Sequence, residues 1–158
     1  MTAPQHFNDD ILQAFARHVP EAASGALEFR SIARERGTMA YVAVAAPAGF
    51  SDPIGLLVGR HGTRLKSVVA DLGGESVNLV RWESEPSEFI RHVLGLSRAG
   101  FSFDPLFRFE PSERRVYVTV DKRTERLFTA GEGLRLRLAS ELVGWQIILS
   151  GQDESSGA

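Results

Sequence analysis

The chain has 158 residues, with 18 Lys+Arg against 20 Asp+Glu and a formal net charge of −2. Its 43% hydrophobic and 24% charged content fits one ordinary domain or two small ones and excludes wholesale disorder. Without cysteine there is no disulfide scaffold, thiolate metal site or cysteine nucleophile, and the net charge by itself argues against a nucleic-acid binder.

The elements read in order as short helices and strands. Residues 9–18 place Ile11, Leu12, Phe15 and Ala16 on one helical face, with acids at the N-terminal end. Residues 27–34 alternate Leu27, Phe29, Ser31 and Ala33 with charged neighbours, as a strand does, and Gly37-Thr38 suits a hairpin turn into an apolar strand over 39–46. Asp52-Pro53 is an N-cap followed by a first-turn proline, predicting a short helix through Val58 and a break at Gly59–Gly62. In 63–72, Leu65, Val68, Val69 and Leu72 recur at helical spacing, and Gly73-Gly74 ends the helix. A strand follows over 77–82.

The plan then repeats. A helix is expected over 86–96, strands around 107–110 and over 116–120, and helices over 124–129 and 134–143. A closing strand is expected over 145–149, and the small, polar, acidic residues Ser150–Ala158 read as a disordered tail. Setting Gly62 against Gly133 gives an offset of 71 residues, which pairs Arg64 with Arg135, Leu65 with Leu136 and Lys66 with Arg137. A repeat of this length predicts two small related domains, each too small to be robust alone and so expected to pack together. The apolar excess of the helix over 134–143 supports that expectation.

The charge is unevenly spread. Residues 30–66 carry +4, residues 108–137 carry +3, and the remainder carries −9. These windows are either ordinary solvated charge or two local basic faces on an acidic body.

The segment with chemistry in it is Val58-Gly59-Arg60-His61-Gly62-Thr63-Arg64, held between two predicted helices. A Gly-x-x-Gly turn lets backbone approach a ligand closely and presents amide donors at a helix N-terminus, which favours anions. Arg60, Arg64 and Lys66 add positive charge, with Arg64 expected on the exposed face opposite Leu65 and Val68. The alternative is a plain turn with solvated charges. The αββ-αα-β plan around the loop is that of the KH module in its prokaryotic form, whose loop clamps about four nucleotides of backbone.

Three stretches, Glu28–Gly37, Asp52–Arg64 and Leu72-Gly73-Gly74-Glu75, resemble the first KH domain of the NusA family of transcription factors. Glu132–Ala139 and Gly144-Trp145-Gln146-Ile147 are similar to the second KH domain, and Val19-Pro20-Glu21 to the segment leading into the first. The resemblance covers roughly residues 15–149. It implies an α+β fold of two tandem type II KH domains, each a three-stranded mixed sheet packed against helices. The expected boundaries are 1–84 for the first domain with its N-terminal helix, 85–150 for the second, and 151–158 for the tail. It also implies binding of single-stranded RNA in transcription elongation, pausing, termination or antitermination. Gly59, Arg60, His61, Gly62, Thr63, Arg64 and Lys66 are then the RNA-binding residues. RNA polymerase or its associated factors are further candidate partners. The family's polymerase-binding domain and oligonucleotide-binding barrel have no counterpart in this sequence, so the chain is expected to be of the short, KH-only kind, and polymerase contact does not carry over.

The second loop departs from the family pattern. Ala130 replaces the first glycine, and Gly131 stands where a lysine is frequent, leaving Glu132 as the only charge in Ala130-Gly131-Glu132-Gly133. A β-carbon and an uncompensated carboxylate are expected to hinder phosphate approach. Gly131, Gly133, Arg135 and Arg137 therefore form a weaker RNA site, or the second domain mainly supports the first. Trp82 and Trp145 border strands, which favours packing over base stacking. Arg30, Arg34 and Arg36 are either RNA contacts or charges on an exposed strand and turn.

Other classes fit poorly. The P-loop spacing, the GxSxG elbow and the dinucleotide fingerprint are all absent, so no enzyme is expected. His6, His18, His61 and His92 lack metal-ligand spacing, and neither a metal nor a cofactor is expected. No apolar run approaches the roughly 18 residues of a membrane helix, and MTAPQHFNDD lacks the pattern of a signal peptide. The reading is a soluble cytoplasmic protein with no membrane partner. The rival function is a KH-fold protein-interaction module of the transcription or translation machinery with little RNA binding.

Overall fold

Two sets of helices and strands follow one another along the chain, one ending at Trp82 and the next beginning at Glu83. The computed structural model describes residues 8–45, 52–96 and 103–153. In the first unit, α1 (Asp9–His18) and α2 (Pro20–Ala23) precede β1 (Glu28–Glu35) and β2 (Met39–Ala45). Next come α3 (Pro53–Val58), α4 (Thr63–Asp71) and β3 (Ser76–Arg81). The second unit runs α5 (Pro86–Val93), β4 (Leu106–Glu110), β5 (Arg115–Asp121), α6 (Lys122–Thr129), α7 (Leu134–Val143) and β6 (Gln146–Gln152).

The two sheets share one topology. β2 pairs antiparallel with β1 and parallel with β3, and β5 pairs likewise with β4 and β6. A parallel pair needs a crossover, and in each unit two short helices supply it. Those helices carry the loop of interest between them, so the sheet fixes the loop's position.

Local chemistry sets the element ends. Asp52 caps α3 by accepting a hydrogen bond from the Gly55 amide at 2.9 Å, with Pro53 in the first turn. Asp121 does the same for α6, accepting from the amide and hydroxyl of Thr124, so that helix begins at Lys122 rather than 124. α5 stops at Val93 rather than 96 because Gly95 turns left-handed (φ 73°). The Leu96 and Gly95 amides then bond back to Arg91 and His92. Leu94 and Leu96 remain buried beyond that turn.

The core of the first unit gathers Ile11, Phe15, Val19 and Leu27 against Val42 and Val44 of β2, with Leu57, Val68 and Val77. Ala40 to Val44 are all buried, as expected of a central strand. On α1 the buried stripe is Ile11, Ala14 and Phe15, whereas the expected members Leu12 and Ala16 are exposed. Ile11, Ala14 and Phe15 join the core of the unit, and at the helix end His18 and Arg17 both reach Asp71 of α4, at 2.8 and 2.5 Å.

One ionic cluster lies inside this unit. Arg34 of β1, whose side chain is 1% exposed, binds both oxygens of Glu75 at 3.0 and 2.5 Å and Asp10 of α1 at 2.8 Å. Glu75 also accepts from the Gly37 amide at 3.0 Å, tying the β1–β2 turn to the start of β3. A buried charge is tolerated only when paired and hydrogen-bonded, and here each is. Arg34 is therefore unavailable to a ligand, which removes it from the candidate contacts. Arg36 lies 3.3 Å from Asp10, and Arg30 stacks over Trp82 at 4.3 Å.

In the second unit Val116, Val118 and Val120 of β5 are buried, with Phe128, Leu138, Ala139, Leu142 and Ile147. α5 packs on α7 within this unit, which accounts for part of α7's apolar excess. β6 continues to Gln152, so the expected tail is strand at its first residues. Ser150, Gly151 and Gln152 pair with Thr119, Val120 and Asp121, and the partner strand's length holds these small polar residues extended. Residues 154–158 lie outside the described residues.

Candidate nucleic-acid interface

The first loop is closed by backbone hydrogen bonds and left-handed residues. The Gly59 amide bonds to the Gly55 carbonyl at 3.0 Å and closes α3, and Gly59 turns to φ 80°. A β-carbon placed there would lie 2.7 Å from Cγ and 2.9 Å from Cβ of Arg64, so only glycine fits. His61 (φ 57°) and Gly62 (φ 74°) are also left-handed, and the Gly62 amide bonds to the Gly59 carbonyl at 3.1 Å. The Thr63 hydroxyl donates to the Arg60 carbonyl at 2.8 Å, and α4 starts at that residue. No side chain caps α4, and its first amide, that of Thr63, bonds back to the Arg60 carbonyl within the turn.

The cations divide into two kinds. Arg60, His61 and Lys66 are exposed, and among the described residues no side-chain bond ties them down. Arg64 is committed inward. It donates to the Leu56 carbonyl at 3.0 Å and sits 3.6 Å from Glu21, with its side chain one-third exposed. Its charge sits at the negative end of α3. Arg64 is therefore tied to the end of α3 and only partly exposed, where an exposed face was expected. Beside the loop a cleft of about 450 Å³ runs between Gly62, Leu65, Lys66 and Val69 on the α4 side and Gly74, Ser76 and Val77 at the start of β3.

The second unit has the matching cleft, larger at about 620 Å³. Gly133, Leu136, Arg137 and Ser140 line it from the α7 side, with Gly144, Gln146 and Ile147 at the start of β6. These are the repeat partners of the first cleft's residues. Its loop closes with the same bond, from the Gly133 amide to the Ala130 carbonyl at 3.1 Å. The dihedrals differ. Ala130 has φ −59°, and the left-handed residues are Gly131 (63°) and Gly133 (73°). Ala130 is accordingly unstrained, and its β-carbon needs no compensation. Glu132 lines the cleft, Arg137 pairs with Glu141 at 3.4 Å, and Arg135 is half-buried outside the lining.

Two further residues line this cleft, Arg114, which the sequence reading passed over, and Trp145, which it expected to pack. Arg114 ends the β4–β5 turn in a left-handed conformation (φ 50°), donates to the Gly144 carbonyl at 3.1 Å and lies over the Trp145 ring at 4.6 Å. Phe109 meets the same indole edge-on, with ring centroids 5.0 Å apart. The repeat carried a signal for this. Trp145 stands where the first unit has the buried Glu75.

Each unit is thus an α-β-β-α-α-β arrangement with a glycine turn between its paired helices and a cleft beside the second. This defines a protein of two tandem type II KH domains. Residues 8–82 match the family model for the NusA-like first KH domain. The chain is 39% identical over 132 residues, 83% of its length, to the transcription termination/antitermination protein NusA of Thermus thermophilus. It is 30% identical to NusA of Rickettsia conorii over 94% of its length, and 32% identical to NusA of Bacillus subtilis over 92%. These alignments span 33%, 29% and 38% of the respective relatives. The crystal structure of APE1850 superposes with a TM-score of 0.60 at 16% identity, covering 88% of this chain and 96% of that one, and shares the fold. Residues 8–82 thus match a NusA-like first KH domain, and most of the chain is similar to part of NusA.

Among the described residues no helix is long and apolar enough to cross a membrane, and no cluster of three or more His, Asp or Glu could hold a metal ion.

Proposed function

We propose that the chain binds single-stranded RNA, with the Gly59–Gly62 turn gripping the sugar–phosphate backbone. The observation that carries this reading is the first loop itself. Its glycine entry admits no side chain, no side chain covers the start of α4, and Arg60, His61 and Lys66 stand exposed beside the cleft. Phosphate contacts come from these groups, and unstacked bases lie along the cleft. Thr63, its amide bonded to the Arg60 carbonyl, and Arg64 keep the turn in shape. The work is binding and not catalysis, in the cytoplasm, within transcription elongation, pausing, termination or antitermination. The names of its relatives support that setting.

The test is affinity for a labelled single-stranded RNA across a salt series. Releasing counterions from a few phosphates makes log K fall linearly with log salt, with a slope near −0.7 per phosphate. Replacing Arg60 and His61 by aspartate should abolish binding without unfolding the chain, since both are exposed. No binding by the wild-type protein at low salt, or unchanged affinity in the double variant, overturns the reading.

A protein-interaction module, docking on RNA polymerase or a factor bound to it, is the second reading. It is favoured by the second loop, whose only charge is Glu132. It predicts that the salt series shows no RNA binding at all.

A further inference from the structure

We infer that the outer face of α6 docks an acidic segment of a partner protein, whose carboxylates meet Lys122, Arg123 and Arg126 and whose apolar side chain covers Leu127. This face shares no residue with either glycine loop or either cleft, so it neither needs nor excludes the RNA-binding reading above.

Free cations mark the place. Elsewhere the basic side chains are engaged, as Arg17 is with Asp71, Arg34 with Glu75 and Arg137 with Glu141. Outside the first loop, the exposed cations without a side-chain partner among the described residues are Lys122, Arg123 and Arg126, and all lie on α6. The fold does not ask for them, because α3, in the same place of the first repeat, reads PIGLLV and carries no charge. Lys122 and Arg123 also run against local helix chemistry. They sit in the first turn, at the positive end of the helix dipole, where acids stabilise and cations do not. A choice that weakens the helix, with no ion pair to offset it, marks a surface kept for another molecule.

The same face says which kind of molecule. Arg123, Arg126 and Leu127 fall at helical spacing and share one stripe, and Leu127 is 49% exposed. The single acid of α6, Glu125, lays its carboxylate against Gly151 of β6 and so leaves the cations unopposed. A sugar–phosphate backbone makes no use of a bare leucine between arginines. Single-stranded nucleic acid is gripped by charge together with rings on which bases stack, and the aromatic side chain of α6, Phe128, is buried. Glu132, in the turn that follows, repels phosphate further. An apolar centre with a charged rim is the anatomy of a protein interface. Because this rim is basic, its complement is acidic.

The experiment uses the full chain and two fluorescein-labelled peptides, a glutamate-rich helix former with leucines at helical spacing and a leucine-free polyglutamate. The first should bind, more weakly as salt rises, and the second roughly fivefold less tightly. Joint Lys122→Glu and Arg123→Glu replacement should lower affinity for the first peptide about tenfold. Its melting temperature should hold or rise, because acids then stand at the helix start. Leu127→Ser should lower peptide affinity roughly fivefold, and affinity for a single-stranded RNA should not change in either variant. No binding of the leucine-bearing peptide by the wild-type chain overturns the inference, as does undiminished binding by the charge-reversal variant. Equal binding of the two peptides, or full affinity in Leu127→Ser, leaves only a bare basic patch and overturns it too. A lower melting temperature after the reversal assigns the cations to the fold instead. Loss of RNA affinity with a shallower salt slope assigns them to phosphate.

Discussion

The two glycine loops close with the same hydrogen bond, yet only the first forbids a side chain at its entry. At Gly59 the obstruction is Arg64, whose stem fills the space a β-carbon would need while its head holds the end of α3. At Ala130 the chain enters with an ordinary negative φ, so alanine costs nothing there. The missing glycine is therefore not a defect of the second turn. What separates the loops is chemistry on their tips, Arg60-His61 in one and Gly131-Glu132 in the other. A second contrast lies across the clefts. Glu75 is 1% exposed and ties three elements of the first unit together, whereas Trp145 at the corresponding position is half-buried and lines a groove. One repeat position has been used for internal cohesion, and its partner for surface.

The largest effect should come from breaking that internal tie. Glu75→Ala leaves Arg34 charged, buried and short of its main partner, and should destabilise the first unit by about 3–5 kcal/mol. Denaturant unfolding measures the loss, and hydrogen exchange should place it in β1, the Gly37 turn and β3 while the second unit keeps its protection. A uniform loss across both units would show that the two repeats do not differ in this way. Next is the loop entry. Gly59→Ala meets both an unfavourable backbone and the Arg64 side chain, and should cost about 1–3 kcal/mol together with RNA affinity. Ala130→Gly should cost less than about 1 kcal/mol, through the greater freedom of the unfolded chain, and should leave RNA affinity as it was. Equal effects at the two positions would erase the contrast.

Much of this was legible in the sequence, for identifiable reasons. The limits of α3 follow from a cap, a first-turn proline and a glycine stop, and the end of α7 from Gly144, signals that act within a few residues. The glycine pair and the repeat located both loops. What was not legible depends on distant partners. The rotation of α1 follows the core that Ile11, Ala14 and Phe15 join, built from elements distant in the chain, so Leu12 and Ala16 read as core and are not. Arg34 looks like a strand surface charge until Glu75 and Asp10 close around it. The stacking of Arg114 on Trp145 joins a turn to a strand start across 31 positions, and no local pattern announces it. Sequence periodicity reports faces, and it is silent on which charged groups find one another.

The smallest expected effect concerns Asp10, the exposed corner of the buried cluster. Its hydrogen bond to Arg34 outweighs the desolvation that opposes it, and the charges of Arg34 and Arg36 help hold its carboxyl below the ordinary value of 3.8. A group whose pKa is lower folded than unfolded contributes stability that is fully present above the unfolded value and is lost as pH falls through the folded one. Acidification below about pH 4 should therefore erode the stability of the wild-type chain through this site. Asp10→Asn should be less stable than wild type at pH 7 and should lose less on going to acid. Because Asp10 is 37% exposed, solvent screening keeps the effect well below that of Glu75→Ala. Melting temperatures of both chains between neutral and acid pH measure it. Parallel curves would mean that Arg34 is held by Glu75 alone, and that the cohesion of the first unit does not extend to α1.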